Sequence, residues 1–419
     1  MQRIKRVLFI VLLFFLIGSG TTSLRVEAVG QDSQDSIEIN SIQINPIEVK
    51  VNGNGDQEEA VSPPDLTQQV DLTEIRGFLN QIDRDVQQAI PNFSLSKMFD
   101  DLRQGKISLN PVELGKSLLT LLGKEILVSA PLIAKLLILA VLTAVLQQLQ
   151  SAFNGGVGKM AQALAFLMLM GIALATFQMA MDVAYTAIQS MTGFMQTLLP
   201  VMMTMLAAMG NLTTAALFKP IVLGSLAFLA TLIKTVALPL FFLAAVLKLF
   251  NHISSEFKLS KLAGLLEFTG KLSLGLILTV FIGVMTVQGV TGGVADGVVL
   301  RTAKYSADLI PVVGKFFKDA VELVVTSGLL LKNALGIVGI IALALICLGP
   351  VVKLVAMILV FKISSALIEP LGQTELADTL QEMSKSLIFI FASVASVAIM
   401  FFMAIVVVVG SGNLTVMLR

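Results

Sequence analysis

Long apolar stretches separated by short polar punctuation dominate the chain from residue 131 onward. They cover residues 131–149, 160–181, 194–208, 221–233, 236–249, 272–290, 334–348, 351–368 and 387–409. A helix needs about 20 consecutive apolar residues to cross the hydrocarbon core of a bilayer, and several of these stretches are that long. Others, such as 221–233, are short and bounded by Lys219-Pro220 and Lys234. Short apolar segments interrupted by Pro or Gly are the pattern of discontinuous or re-entrant helices. The predicted fold class is all-α: a polytopic α-helical membrane protein with broken or re-entrant helices over residues 130–410, followed by a tail at 411–419.

The chain before Pro131 follows a different pattern. Arg3, Lys5 and Arg6 precede an apolar run at 7–18. That run is too short to span but suits the core of a signal peptide, and Val26-Glu27-Ala28 fits a small-x-small cleavage site. Residues 1–28 are therefore predicted to be a signal peptide cleaved after Ala28; an uncleaved anchor is the rival reading. Residues 29–70 are polar and acidic, with turn signals at Asn52-Gly53-Asn54-Gly55 and Pro63-Pro64. From residue 29 to 110 there are fourteen Asp or Glu against six Lys or Arg. This segment is expected to be a flexible extracytoplasmic tether, because acidic residues do not oppose translocation. Within 71–129, Leu72, Ile75, Leu79, Ile82, Val86 and Ile90 recur at helical spacing behind Asp71 and Glu74. They predict amphipathic helices on the outer face of the membrane or on a neighbouring protein.

Aligned with itself, the chain shows matches at one recurring offset. Ile90-Pro91 corresponds to Leu199-Pro200 and Ile310-Pro311; Asn110-Pro111 to Lys219-Pro220; Pro131 to Pro239 and Pro350; and Gly158-Lys159 to Gly270-Lys271 and Ser384-Lys385. A threefold internal repeat is predicted, with units at about 90–181, 199–290 and 310–409. Ordinary helix punctuation by Pro and Lys is the competing explanation. Each unit would hold two variable elements, then a long apolar hairpin. The first hairpin helix would open at Pro131, Pro239 or Pro350. The loops of these hairpins would lie inside, where Lys248, Lys258, Lys261 and Lys271 satisfy the positive-inside rule. The third loop fits poorly, because Glu369, Glu375, Asp378 and Glu382 make it acidic.

Composition sharpens this reading and removes several functions. The chain is 56% hydrophobic and 14% charged, with a mean hydropathy of +0.88; soluble domains have about 25% charged residues. A net charge of +1 without a basic patch argues against nucleic acid as a partner. A single His, His252, and a single Cys, Cys347, exclude a disulfide framework and a multi-Cys or multi-His metal site, and they leave no obvious Ser-His or Cys-His catalytic pair, because His252 would have to serve alone. Gly155-Gly156-Val157-Gly158-Lys159-Met160 resembles a phosphate loop only superficially. Phe153 stands where the first Gly is needed and Met160 where a Ser or Thr would hold Mg²⁺. No catalytic, cofactor-binding or metal-binding residue is predicted, and the chain is not read as an enzyme.

Candidate functional residues are those that polarise apolar surroundings. Asp308-Leu309-Ile310-Pro311-Val312-Val313-Gly314-Lys315-Phe316-Phe317-Lys318-Asp319 is the most distinctive stretch. Pro311, Gly314, Lys315, Lys318, Asp319 and Glu322 are candidates for lining or gating a path, if this stretch is a re-entrant helix beside water. An interfacial helix without a transport role has the same pattern. Lys135 and Lys353 follow the hairpin prolines within an apolar run. They either snorkel to the interface or line a pore, because an ammonium in hydrocarbon costs about 2.5–3.5 kcal/mol on insertion scales. Gly289, Gly293 and Gly297, spaced four apart, are candidates for close helix packing; a Gly-rich loop is the alternative.

The stretch around Pro311, the following Leu331-Lys332-Asn333-Ala334-Leu335-Gly336, and Glu369-Pro370-Leu371-Gly372 resemble the stage III sporulation protein AE family of endospore-forming bacteria. So does the layout of signal peptide, acidic segment and polytopic body. The resemblance implies a place in the mother-cell membrane around the engulfed forespore, with the N-terminal segment in the intermembrane space. It also implies a role in the stage III sporulation A assembly, a channel or feeding-tube apparatus sustaining late forespore gene expression. A companion ATPase, ring-forming proteins and membrane lipids are the implied partners. The family supplies no catalytic or ligand residues to carry over. Read from the residues alone, a stand-alone secondary transporter or permease for a small solute is the alternative, with its site at broken helices near the midplane.

Overall fold

The computed structural model describes residue 77 and residues 111–152, 157–251, 259–307 and 313–417. The predicted signal peptide, the acidic segment and nearly all of the amphipathic stretch before residue 111 lie outside the described residues. The described elements are helical: α1 Pro111–Val128, α2 Ala130–Ala152, α3 Val157–Ala208, α4 Leu212–Leu232, a π-helical turn Ile233–Ala237, α5 Leu238–Asn251, α6 Ser260–Ala307, α7 Val313–Ile368, a 3₁₀ turn Glu369–Leu371 and α8 Thr374–Met417. The all-α polytopic architecture predicted from hydropathy is what the structure shows. Among the described residues, five segments are long and apolar enough to cross a membrane: Leu167–Ala208, Leu212–Phe250, Ser260–Gln288, Leu331–Leu371 and Thr374–Ser411. A pair bent by 46°, Leu119–Val128 and Ala130–Val145, makes six if it is one broken span.

The helices run through several prolines that the punctuation reads as helix starts. Pro200, Pro220 and Pro350 lie inside α3, α4 and α7 respectively, rather than at helix starts. The apolar stretches 160–181 and 194–208 thus belong to one helix, as do 334–348 and 351–368. The physical reason is the solvent. A proline inside a helix removes one N–H and crowds the carbonyl four residues back. A full break in hydrocarbon would strand several carbonyls and amides at once, which costs more.

The three prolines predicted to open hairpin helices have three different outcomes. Pro131 stands in the first turn of α2, just past the 46° bend. Pro239 follows the π turn, where Leu238 N–H donates to the carbonyl of Ile233, five residues back. The extra residue in that turn takes up the displacement that a proline imposes. Pro350 is carried inside an unbroken α7 of 56 residues. A helix that long measures about 84 Å, against a hydrocarbon core of about 30 Å. Helices of this length project beyond the bilayer.

Helix α8 forms the axis of the core and packs against α7, α6, α3 and α5. Leu380, Leu387, Ile390, Val394, Val397, Phe401, Ala404 and Val408 are fully buried at the three- and four-residue spacing of one helix face. The α7–α8 hairpin closes through Glu369-Pro370-Leu371-Gly372. Gly372 adopts φ 78°, and its N–H donates to the Glu369 carbonyl at 3.1 Å. A left-handed residue at this position favours glycine. Two side chains staple the hairpin: Ser365 Oγ donates to the Ala377 carbonyl at 2.8 Å, and Ser384 Oγ to the Ile358 carbonyl at 3.2 Å. Close approach elsewhere depends on glycine. A Cβ on Gly270 of α6 would fall 2.6 Å from Phe241 of α5, and one on Gly339 of α7 would fall 2.6 Å from Leu198 of α3.

Candidate functional site

Polar chemistry inside this apolar bundle is concentrated at three levels, two near the ends of α8 and one between them. At one end, Lys248 of α5 pairs with Glu267 of α6 at 2.5 Å and with Glu382 of α8 at 3.2 Å. Glu267 also pairs with Lys271, and Glu382 with Lys385 at 2.8 Å. The network holds three ammonium groups and two carboxylates and ties three helices together. Glu267 is its most enclosed member, with its side chain 15% exposed, and Lys248 is 20% exposed. The acidic third loop, at odds with the positive-inside reading, therefore contributes Glu382 as a partner to Lys248 of the second hairpin. Immediately inward, Phe241 stacks on Phe389 at 5.2 Å, and the Lys271 ammonium sits 4.4 Å from the Phe389 ring.

At the other end, Lys332 of α7 is fully buried, and its ammonium donates to the Val409 carbonyl of α8 at 2.8 Å. The rise along α8 from Glu382 to Val409 is about 40 Å. These two polar levels bracket a layer about as thick as a bilayer with its headgroup regions.

The third level lies halfway. The Lys248–Glu382 and Phe241–Phe389 contacts are separated by equal steps on both helices, so α5 and α8 run antiparallel in register. On α3, Phe177 meets Phe242 at 5.8 Å, and Tyr185 lies under the Lys234 ammonium at 5.6 Å. Those two contacts are again equally spaced on both partners. The common register places Lys234, in the π turn, and Tyr185 midway between the two ends. Beside them is a cavity of about 270 Å³ lined by Ile188, Gln189, Thr192, Gly193, Gln196, Ala230, Thr231 and Lys234.

The residues singled out from sequence occupy other places. Lys135 is exposed on α2 and Lys353 is partly buried on α7; neither forms an ion pair among the described residues. Gly314, Lys315, Lys318, Asp319 and Glu322 lie on the first turns of α7. Their side chains, and Pro311 altogether, are outside the described residues. Gly289, Gly293 and Gly297 lie on helical backbone within α6, and what they pack against is likewise outside the described residues. Gly155 and Gly156 lie outside them, and Val157 opens α3.

Sequence reasoning missed Glu267, Lys332 and the midway residues, although one signal was present. Asp182, Tyr185, Gln189, Thr192 and Gln196 recur at alternating spacings of three and four within an apolar helix. This is the spacing of a helix seam, occupied by polar groups. Lys234 reads in the sequence as the boundary of a short segment, whereas the π turn places it in the interior of a 39-residue one, Leu212–Phe250.

Known proteins settle the family. The family model described as stage III sporulation protein AE matches residues 93–412. The chain belongs to the stage III sporulation protein AE family. Among curated proteins it is similar to stage III sporulation protein AE of Bacillus subtilis (strain 168), 35% identical over 352 residues, which cover 84% of this chain and 88% of the relative. No solved structure matches it. The family match takes in every polar level described above and starts after the acidic segment.

Proposed function

We propose that this chain is the multi-pass membrane component of a channel or secretion-like sporulation assembly between mother cell and forespore, needed for late forespore gene expression. The observation that carries the proposal is family membership over residues 93–412, joined to a helix bundle with five candidate spans among the described residues. The acidic N-terminal segment would face the intermembrane space and offer a surface to ring-forming components. A companion ATPase would supply energy, since Phe153 and Met160 stand where a phosphate loop needs Gly and Ser or Thr. Deleting the chain in a spore former should stop late forespore transcription and leave engulfment intact. Wild-type spore yields from the deletion strain would refute the proposal.

A second reading, a permease for a small solute acting without partners, is favoured by one observation. The polar cavity at Lys234 lies midway across the bundle beside an irregular helix turn, as solute sites in transporters do. Solute movement in liposomes containing the purified chain alone would favour it over the assembly role.

A further inference from the structure

We propose that the midway groove between α3 and the π turn is a binding site for a small oxyanion bearing a carboxylate or phosphate group, with Lys234 as its charge partner. Lys234 lies near the centre of a 39-residue apolar segment. It is about four helical turns from the ion network at Lys248, or about 21 Å along the helix. That distance is well beyond the reach of a lysine side chain, so Lys234 does not share the network's carboxylates. Among the described residues no acidic side chain pairs with it, and its one aromatic neighbour is Tyr185. Asp182 is exposed one turn beyond Tyr185 on the same face of α3. An ammonium at this depth needs an anionic or strongly polar partner.

The rest of the lining suits an oxyanion. Gln189 and Gln196, two turns apart on α3, are exposed and carry amide N–H groups to donate. Thr192 Oγ1 and Thr231 Oγ1 each donate to a carbonyl of their own helix at 2.7 Å, to Ile188 and Ala227 respectively. Their lone pairs remain for a hydroxyl or amine on the ligand. One ammonium and two amides therefore meet the anionic oxygens, and two hydroxyls meet any donor. A volume of about 270 Å³ lies just below the range of about 300–1,000 Å³ typical of drug-sized ligands, which suits a small molecule. Thr231 precedes the π turn and Lys234 lies within it, so the irregular turn borders the groove just ahead of Pro239. The inference holds whether the chain works alone or within an assembly.

The test uses the full chain in nanodiscs, with thermal unfolding followed in sodium chloride, acetate, glutamate or phosphate at equal ionic strength. A ligand at about ten times its dissociation constant should raise the midpoint by roughly 1–3 °C over chloride. The shift should persist in Lys234→Arg and vanish in Lys234→Met and in the double variant Gln189→Leu/Gln196→Leu. Equal midpoints for wild type in all four salts overturn the proposal, as does an undiminished shift in Lys234→Met. If Lys234→Met does not fold, the wild-type salt series and the outward-facing double variant decide alone. A Gln189→Cys variant in a Cys347→Ala background supplies the competing outcome. Cross-linking between copies, together with no anion effect, would mean that a second chain fills the groove and would overturn the anion site.

Discussion

Lys248 and Lys234 sit on one continuous helical segment, about four turns apart, and have opposite surroundings. Lys248 lies between two carboxylates from two other helices, with a stacked aromatic pair behind it. Lys234 has a tyrosine ring, two amides and a cavity. A charge satisfied by its own chain fixes helix positions. A charge left for something else to satisfy marks a place where the protein meets a partner or solute. The two lysines are indistinguishable by residue type, and only their neighbours separate bracing from binding.

Thermal unfolding in detergent or nanodiscs can break this contrast at either end. The largest effect belongs to the brace. Phe241→Ala empties a fully buried ring site between Gly270 and Phe389 and should cost about 3–5 kcal/mol. Glu267→Ala should come next at about 2 kcal/mol, since it leaves Lys248 and Lys271 facing each other in a partly enclosed site. A melting point unchanged by Glu267→Ala would break the comparison at its stronger end. Glu382→Gln should cost about 1 kcal/mol, because its side chain is 32% exposed and Lys248 retains Glu267. Lys385→Ala, half exposed on the rim, should cost under about 0.5 kcal/mol. Lys234→Met should be the smallest, within about 0.5 kcal/mol of wild type or slightly stabilising in chloride, because no charge partner is lost with it. Destabilisation by Lys234→Met as large as that from Glu267→Ala would make Lys234 a second brace and erase the difference.

Much of the fold was legible in the pattern of residues. Among the described residues, the apolar runs fall within every helix that is long and oily enough to span, because hydrocarbon rewards any such run whatever its neighbours do. Glu369-Pro370-Leu371-Gly372 was visible as punctuation and is a turn, because a proline followed by a left-handed glycine ends a helix locally. Pro200, Pro220 and Pro350 were equally visible and end nothing. Whether an internal proline breaks a helix depends on what surrounds the freed carbonyl, and that is not local information. The same limit hid the site. The α3 stripe from Asp182 to Gln196 is readable as a polar seam, but its partner Lys234 looks like a segment end until the π turn is seen.

By itself the sequence determined the solvent of this protein, its helical class and the regions where polar groups are scarce. These follow from the transfer of side chains and peptide groups to hydrocarbon, a property of each segment taken alone. The tertiary structure decided that Glu382 answers Lys248, that Lys332 reaches the Val409 carbonyl, and that Lys234 faces a cavity. Those outcomes depend on the register between helices far apart in the chain. Register is set by how glycines, ring stacks and one π turn let the helices approach one another.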